Sequence, residues 1–560
     1  MMKQKKTIWF LVVFALAYVI IYFSTLNNIE AKGGKQYGGT LKISFKSEQL
    51  RLFPLADNTL EHHRAQQLIF EPLIKPNNSA RGWKYVLAKS IVTEPNKKTL
   101  IISLRKNIHF ADDHCFRFHS SELTAEDVAF TLSLACSKQK LVQQDLILPE
   151  LILGGKNYYE ANADPLDKKP KGVRVIDDHS LELTLSGAYN HFLNVLSGPS
   201  LGILSKQAYK YYGNSIVHHP VGTGPYYLND KEKKMLLFER NSNYWRYDKY
   251  GNQLPYIEHI HLKTGVSSQL AHREFLHKNL DLLFDLPIDD LREAFGSLSD
   301  AKKGKNPLHE VYIKNASKIH FIQFNSCSIP FKDPDVRKAF ALAIDQNYIC
   351  NEVLLGEGRA LNRRFIPNQT LGDNSLLPAD QRSLAVKINE AKSLLLKAGY
   401  RPGAFPRVTF YVESNKKTLN YKWAKAVALM LKNHLNIQVL LKETGRPNKQ
   451  EVAIWRTGWV GDYPGAESYL RLFYSRAQNP VFFMNKRVDS LYLSSVYART
   501  LAQRNQAQRL CEKAIIEQQA LIPIYTEDFI VLHPLKVRGF ELDNSGLLDY
   551  AKLYIKELKQ

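Results

Sequence analysis

The sequence predicts an α/β protein built from two or more lobes. Strand-like and helix-like segments alternate through the C-terminal half, which is typical of α/β sheets covered by helices. The chain has 560 residues, of which 44% are hydrophobic and 23% charged, so it can bury more than one core. The sequence contains no internal repeat and no low-complexity tract.

Charge and cysteine content argue against two classes of protein. The net charge of +22 is high, but the lysines and arginines are spread along the chain rather than grouped in one block. Such diffuse basicity is typical of a solvated surface, so we expect no nucleic-acid partner. The five cysteines show no CxxC spacing, and their odd number leaves at least one unpaired. A disulfide-stapled scaffold is therefore not expected.

The N-terminus predicts export. Lys3, Lys5 and Lys6 precede an apolar run over residues 8–23, which is the pattern of a secretory signal. No cleavage motif stands out, and no cysteine follows the run, which argues against a lipid anchor. We expect residues 1–33 to be a signal peptide or an uncleaved signal anchor. The remaining chain should then lie in the periplasm, free or tethered to the cytoplasmic membrane.

Capping residues and hydrophobic periodicity predict the elements of the N-terminal half. Thr124 precedes two acidic residues and an apolar run, so it should cap a helix. Two glycines and two prolines within residues 220–225 exclude helix and regular strand, and predict a turn that leads into a strand at Tyr226. The other predicted elements are strands over 41–43, 100–104 and 257–262, a helix over 61–73 and a hairpin over 173–185.

The C-terminal half alternates between helices and strands. Asp333 and Pro334 suit the N-cap and the first position of a helix. Asn389 is the expected cap of a second helix, over residues 390–398. The remaining predicted elements are helices over 348–355, 421–435 and 504–520, and strands over 408–412, 437–441, 452–455 and 522–525.

One short stretch combines a cation, an indole and a carboxylate with two glycines. Arg456, Trp459 and Asp462 are separated by Gly458 and Gly461, which carry no Cβ and allow another backbone to come close. Opposite charges on either side of such a backbone suit an extended zwitterionic ligand, and a peptide fits that description. A structural Arg–Asp pair beside a turn is the alternative.

Several stretches, in this order, match the motifs of one family. They include Leu-Thr-Ala-Glu-Asp-Val at 123–128, Val-Gly-Thr-Gly-Pro-Tyr at 221–226, Asn-Ser-Asn-Tyr-Trp at 241–245, Ala-Leu-Ala-Ile-Asp at 341–345 and Ile-Pro-Ile-Tyr at 522–525. Together they make the chain resemble the periplasmic oligopeptide- and dipeptide-binding receptors of bacterial ABC importers, solute-binding family 5. The resemblance extends over roughly residues 38–545.

The resemblance implies a two-lobed α/β periplasmic-binding-protein fold of the class with an extra inserted domain. Two crossover strands would join the lobes, and the ligand cleft would lie between them. The implied limits are 34–80, 190–312 and 525–560 for the first lobe, 81–189 for the inserted domain and 313–524 for the second lobe. A protein of this family is a monomeric receptor that delivers its ligand to ABC permease subunits. It needs no cofactor and no catalytic residue.

The resemblance also implies roles for the stretch around Asp462. The Asp462 carboxylate would pair with the α-amino group of an oligopeptide or dipeptide, and Arg456 would meet the ligand carboxylate. Trp459 would form one wall of a side-chain pocket. The full set of expected ligand-binding residues is Asp462, Arg456, Trp459, Gly458, Gly461 and Tyr463.

Other classes of function are not supported by motifs. G-x-S-x-G, H-E-x-x-H and P-loop patterns are absent from the sequence, so an enzyme is not expected. A DNA-binding regulator would need a DNA-reading helix pair where this chain has an export segment. A ligand other than a peptide remains the alternative, because relatives of this fold bind nickel chelates, haem, sugars or opines.

A histidine-rich loop departs from the family pattern. Residues 109–119 contain three histidines, two aspartates and Cys115, which are all metal-ligating types. Their spacing follows no regular ligand pattern. We therefore expect a lengthened, solvated loop and no metal site, with metal binding as the alternative.

Overall fold

The computed structural model describes most of the chain from residue 30 to residue 556. Most of the predicted signal segment therefore lies outside the described residues. For residues 315–317 only the backbone is described. The residues not described within these limits are 57–58, 78–81, 97, 143–146, 188–191, 285–308, 357, 368–369, 371–375, 415, 417, 462, 476–482 and 499.

Strands and helices are mixed along the described chain. The strands are β1 (Glu30–Ala31), β2 (Lys35–Gln36), β3 (Thr40–Ser44), β4 (Ile74–Pro76), β5 (Trp83–Tyr85), β6 (Ala88–Thr93), β7 (Thr99–Leu104), β8 (Val173–Asp177), β9 (Ser180–Thr184), β10 (Tyr226–Glu232), β11 (Met235–Arg240), β12 (His259–Lys263), β13 (Leu283–Phe284), β14 (His309–Phe324), β15 (Gly358–Ala360), β16 (Val408–Tyr411), β17 (Val439–Lys442), β18 (Ala453–Trp459), β19 (Leu521–Pro534), β20 (Val537–Arg538) and β21 (Tyr554–Ile555). The helices are α1 (Leu60–Ile69), α2 (Ala125–Ala135), α3 (Leu148–Leu151), α4 (Gly155–Glu160), α5 (Phe192–Leu196), α6 (Lys206–Tyr212), α7 (Ser268–Leu276), α8 (Pro334–Leu342), α9 (Gln346–Tyr348), α10 (Leu384–Lys397), α11 (Leu419–Leu435), α12 (Glu467–Leu470), α13 (Lys486–Val496) and α14 (Leu501–Glu517).

The first sheet has the strand order β10-β11-β12-β3. Strand β3 runs parallel to β12 and places Leu41 beside Ile260, and both side chains are fully buried. The glycine-rich turn before β10 packs against the end of α1. A Cβ on Gly222 would lie 2.1 Å from the carbonyl oxygen of Ile69, and Gly224 donates its N–H to that same oxygen at 2.7 Å. Neither Gly222 nor Gly224 has room for a side chain, and the predicted turn and the strand after it are confirmed.

The second sheet is wholly antiparallel, with the order β6-β7-β9-β8. Strands β8 and β9 are the predicted hairpin. Helix α2 packs against β8 and begins with the predicted cap, because Thr124 and Asp127 form a capping box. The second carboxylate oxygen of Asp127 accepts the N–H of Lys206 at 2.8 Å. This bond ties α2 to the start of α6.

The third sheet contains the two longest strands of the described chain. Its order is β13-β19-β14-β18-β16-β17, with β15 also paired to β19. Strands β14 and β19, of 16 and 14 residues, run antiparallel beside each other, from Gln323–Leu521 at one end to His309–Pro534 at the other. Two predicted lobe limits, 312/313 and 524/525, fall inside these strands. The domain limits themselves stay predictions.

Helices α8, α10 and α11 pack with the third sheet in one hydrophobic cluster. Asp333 caps α8 as predicted, since its side chain accepts the N–H of Asp335 at 2.8 Å. Helix α11 contributes Trp423, which is fully buried. The buried members from the strands include Ile322, Phe324, Val408, Phe410, Ile454, Ile522 and Tyr525. Because Ile454 belongs to β18, this cluster is the core that packs against one face of β18.

The sequence-based boundaries were wrong at several elements, including α10, α1 and the segment after Asp345. Helix α10 begins at Leu384 and is capped by Ser383, so Asn389 lies inside the helix and is not its cap. Helix α1 ends at Ile69, four residues before the predicted end. The predicted helix over 348–355 is instead a short α-turn followed by a π-helical segment, Ile349–Val353.

Within the part of the chain that the structure describes, every helix is too short or too polar to span a membrane.

Candidate ligand-binding site

Strand β18 has one fully paired edge and one partly open edge. Strand β14 pairs with it from Ile454 to Trp459, whereas β16 pairs only with Ala453–Trp455 on the other side. The N–H of Asn325 bonds to the oxygen of Ala453, and the N–H of Thr409 bonds to the oxygen of Val452, both at 3.0 Å. Because backbone groups alternate along a strand, those of Arg456 and Gly458 point away from β14.

No described strand occupies this side of β18 beyond Trp455. The sequence predicted that the strand ends there, at residue 455, and this was wrong, because the strand continues to Trp459. The backbone of Arg456 and Gly458 therefore forms a short open strand edge. An extended chain can pair with such an edge through main-chain hydrogen bonds.

The half-buried side chain of Arg456 lies beside this edge. Its Nε donates to the carbonyl oxygen of Val412 at 2.9 Å. Burial lowers the pKa of Arg456, whereas Tyr525, Glu413 and Glu527 act in the opposite direction. No carboxylate of the described residues lies within ion-pair distance of its guanidinium group. Arg456 can therefore still pair with an anion from outside the chain.

The two glycines of the stretch have different surroundings. A Cβ on the exposed Gly458 would lie 3.4 Å from Arg456 Nη1 and from His320 Cε1, which is ordinary contact. A Cβ on Gly461 would lie only 2.4 Å from Ser468 Oγ. Packing against α12 therefore explains Gly461. Among the residues that the structure describes, none requires glycine at position 458, so the expectation that it gives room to a ligand stays a prediction.

The segment after β18 is fixed by α12 and α14. Trp459 is half-buried, and its Nε1 donates to the carbonyl oxygen of Ser468 at 3.2 Å. Tyr463 is buried. Glu467 is completely buried and accepts two hydrogen bonds from Arg504, at 2.6 and 3.1 Å. Asp462, the carboxylate singled out in the sequence, lies outside the described residues.

A family model decides the identification. The model of "Bacterial extracellular solute-binding proteins, family 5 Middle" matches residues 83–480, well over half of the chain. The chain belongs to this family.

Curated family 5 relatives match over most of the chain. The periplasmic oligopeptide-binding protein OppA of Salmonella typhimurium is 28% identical over 384 residues, which are 65% of this chain and 67% of that protein. The periplasmic murein peptide-binding protein MppA of Escherichia coli is 24% identical over 533 residues, covering 91% of this chain and 92% of that protein.

Solved structures show that the fold is the two-lobed fold of family 5. The murein tripeptide binding protein MppA of Escherichia coli superposes with a TM-score of 0.78 at 21% identity, over 93% of this chain and 99% of that one. Haemophilus influenzae OppA in complex with RPPGFSPFR gives a TM-score of 0.76 at 20% identity, over 92% and 99%. The fold class predicted from the sequence is confirmed.

Sequence reasoning missed a charged cluster beside the open edge of β18. His320 of β14 is 2% exposed, lies opposite Gly458, and stacks on the ring of Tyr525 at 4.3 Å. Its Nε2 lies 2.5 Å from a carboxylate oxygen of Glu527, and Lys318 Nζ lies 2.9 Å from the other oxygen. Glu527 lies 207 positions from His320 in sequence, so no local motif could reveal the cluster.

Burial and neighbouring charges together set the protonation states of His320 and Glu527. Burial penalises the charged form of each side chain. It lowers the pKa of His320 to about 4, although Glu527 raises it. For Glu527 burial raises the pKa, but Lys318 and His320 outweigh burial and hold the pKa below its usual range. Lys318 and Arg456 also disfavour a proton on His320. Near pH 7 the cluster therefore contains a neutral imidazole between a carboxylate and two cations.

Folding stability should consequently fall in acid. An unfolded histidine takes up a proton near pH 6.5, whereas folded His320 does so only near pH 4, so acid favours the unfolded state in this window. Over these 2.5 pH units the single group accounts for up to roughly 3 kcal/mol. We expect His320→Gln to reduce the loss of unfolding free energy between pH 6.5 and 4. Chemical denaturation across this range is the measurement, and parallel pH profiles for the two proteins would contradict the assignment.

The histidine-rich loop is partly packed rather than wholly solvated. Cys115 is buried in a 3₁₀ turn capped by Asp113, and burial raises the pKa of its thiol. Phe118, in contrast, is 84% exposed, and His109 contacts Ser121 Oγ at 3.2 Å. Among the described residues, no three His, Cys, Asp or Glu side chains are placed to share a metal ion.

Proposed function

We propose that this chain is the solute-binding receptor of an ABC importer and that its ligands are extended peptides. The observation that carries the proposal is the open edge of β18, where the backbone of Arg456 and Gly458 faces away from β14. An extended peptide can pair with such an edge whatever its side chains are. The names of the relatives support peptides over nickel chelates, haem, sugars or opines, because OppA and MppA are named as peptide-binding proteins.

The charges near this edge suit the two ends of a peptide. Arg456 lies on the same strand as the open backbone groups and has no carboxylate in contact among the described residues, so it can donate hydrogen bonds to the ligand carboxylate. We propose that Asp462 meets the α-ammonium group. Trp459 would then form an apolar wall close to the ligand backbone.

The proposal includes a compartment and a membrane partner. The chain would be exported by its N-terminal segment and would work in the periplasm, either free or held by an uncleaved anchor. The lobes would close over the peptide, and the closed form would dock on the permease subunits of the importer. Nothing in this mechanism involves covalent chemistry.

Calorimetric titration with short peptides tests the proposed function. We expect saturable binding of unmodified tri- to pentapeptides, and weaker binding of the same peptides with a blocked N-terminus. Matched titrations with a sugar and with a nickel chelate serve as controls. Binding of one of these controls, with no heat from any peptide, would overturn the proposal.

Replacing Gly458 by valine should weaken peptide binding and leave folding intact. A Cβ at this position meets only ordinary contacts, so the strand accepts it, but a branched side chain covers the open edge. Loss of one or two main-chain hydrogen bonds corresponds to about tenfold weaker binding. Calorimetry and thermal unfolding should be measured together, with Gly458→Ala as the milder control. Unchanged affinity in the valine variant would mean that the ligand does not use this edge.

A further inference from the structure

A large cavity lies away from β18, between residues 89–121 and residues 242–253, which fall in the predicted inserted domain and the predicted first lobe. It has a volume of about 950 Å³, which is the size of many small-molecule sites. One wall is formed by the end of the β6–β7 hairpin and the residues after it, and the other by residues 242–253. No residue of β14, β18 or β19 lines it. The cavity is therefore separate from the proposed peptide site.

The charged residues that line the cavity all have one sign. Lys89, Arg105 and Lys106 are among the fourteen described residues that line it, and none of these fourteen is an aspartate or glutamate. The nearby Glu122 accepts the backbone N–H of Asn107 at 2.8 Å and does not line the cavity. Three cations in one concave surface without a lining carboxylate favour an anionic occupant.

Arg105 is held in place from two sides. Its Nε donates to the carbonyl oxygen of Val86 at 2.8 Å, and its guanidinium carbon lies 5.3 Å from the centre of the Trp245 ring. Trp245 is fixed in turn by a hydrogen bond from its Nε1 to the buried Glu71, at 2.8 Å. The bond to Val86 uses one of the five N–H groups of an arginine side chain. A positioned guanidinium group of this kind suits bidentate binding of an oxyanion.

We propose that this cavity binds a phosphate-bearing ligand. A phosphate group offers several acceptor oxygens and more than one negative charge, which matches Arg105 with Lys89 and Lys106. The side chains of Asn107, Ser242 and Asn243 add neutral donors around the same space. The phosphate belongs either to a soluble phosphorylated compound or to the headgroup of an anionic lipid.

Titration calorimetry with inorganic pyrophosphate tests the site. We expect binding to the purified protein, and about tenfold or weaker binding to the double variant Lys89→Ala/Lys106→Ala. Both lysines are exposed, so this variant should fold normally. Lys98→Ala is the matched control, because Lys98 is an exposed lysine in the turn at the opposite end of the same hairpin, and it should bind like the unmodified protein.

Co-sedimentation with phosphatidylglycerol vesicles separates the two sources of phosphate. The ligand is a lipid headgroup if the vesicles capture the unmodified protein and Lys98→Ala but not the double variant. Pyrophosphate binding without vesicle capture assigns it to a soluble compound. Absence of pyrophosphate binding, equal binding by the double variant, or equally tight binding of succinate would overturn the proposal.

Discussion

Replacing Arg504 by alanine is expected to lower the free energy of unfolding by about 3–5 kcal/mol. Glu467 is completely buried, the Arg504 side chain is 11% exposed, and two hydrogen bonds of 2.6 and 3.1 Å join them. Removal of the arginine leaves a buried carboxylate without its partner, which is far more unfavourable than losing a surface ion pair. Denaturant titration followed by circular dichroism measures the effect.

The control for this experiment is Arg174→Ala. Arg174 forms a similar two-bond pair with Glu182, at 3.1 and 2.5 Å, but its side chain is 62% exposed. Exposed ion pairs contribute little to stability because water and salt screen them, so this variant should be nearly as stable as the unmodified protein. Equal effects of the two variants would mean that the buried Glu467–Arg504 pair contributes no more to stability than the exposed Arg174–Glu182 pair. The segment that follows β18 would then depend on other contacts.

The largest expected effect on binding comes from Asp462→Asn. If the Asp462 carboxylate pairs with the α-ammonium group of the ligand, the substitution leaves that ammonium group in a closed cleft without an anionic partner. A charge-assisted hydrogen bond of this kind is worth about 1.5–3 kcal/mol. Free peptides should therefore bind one to two decades more weakly, at about 1.4 kcal/mol per decade.

N-acetylated peptides provide the control for Asp462. They lack the ammonium charge, so the variant should lose little affinity for them relative to the unmodified protein. Calorimetry with matched free and acetylated peptides gives both differences. Equal losses for both peptides, or no loss for either, would assign Asp462 to holding the turn rather than to the ligand.

Local signals predicted many elements, because caps and turns act over a few residues. Thr124 and Asp333 start their helices as expected, and the hairpin over 173–185 forms around its predicted turn. Asn389 misled the prediction, since Ser383 offers an earlier cap and the helix continues through Asn389. Two residues with capping potential only six positions apart cannot be ranked by local sequence alone.

Non-local pairing accounts for what the sequence could not reveal. The middle of β14 reads Asn-Ala-Ser, which are poor strand formers, and the register with β19 shifts across these residues, between Lys314 and Lys318. The strand continues because β19 pairs with β14 on both sides of this shift. The continuation of β18 to Trp459 likewise depends on β14. Gly461 was singled out for a ligand, but its neighbour Ser468 gives it a packing role that only the fold discloses. The same holds for the contact between His320 and Glu527.

Mass spectrometry of the compound that co-purifies with the protein is the most direct test of peptide capture. The protein should be purified without denaturation, and its ligand then released and sequenced. We expect peptides of a few residues, of varied sequence and with free N-termini, because pairing with the edge of β18 does not depend on side chains. A single stoichiometric nickel chelate, haem, sugar or opine would contradict peptide capture.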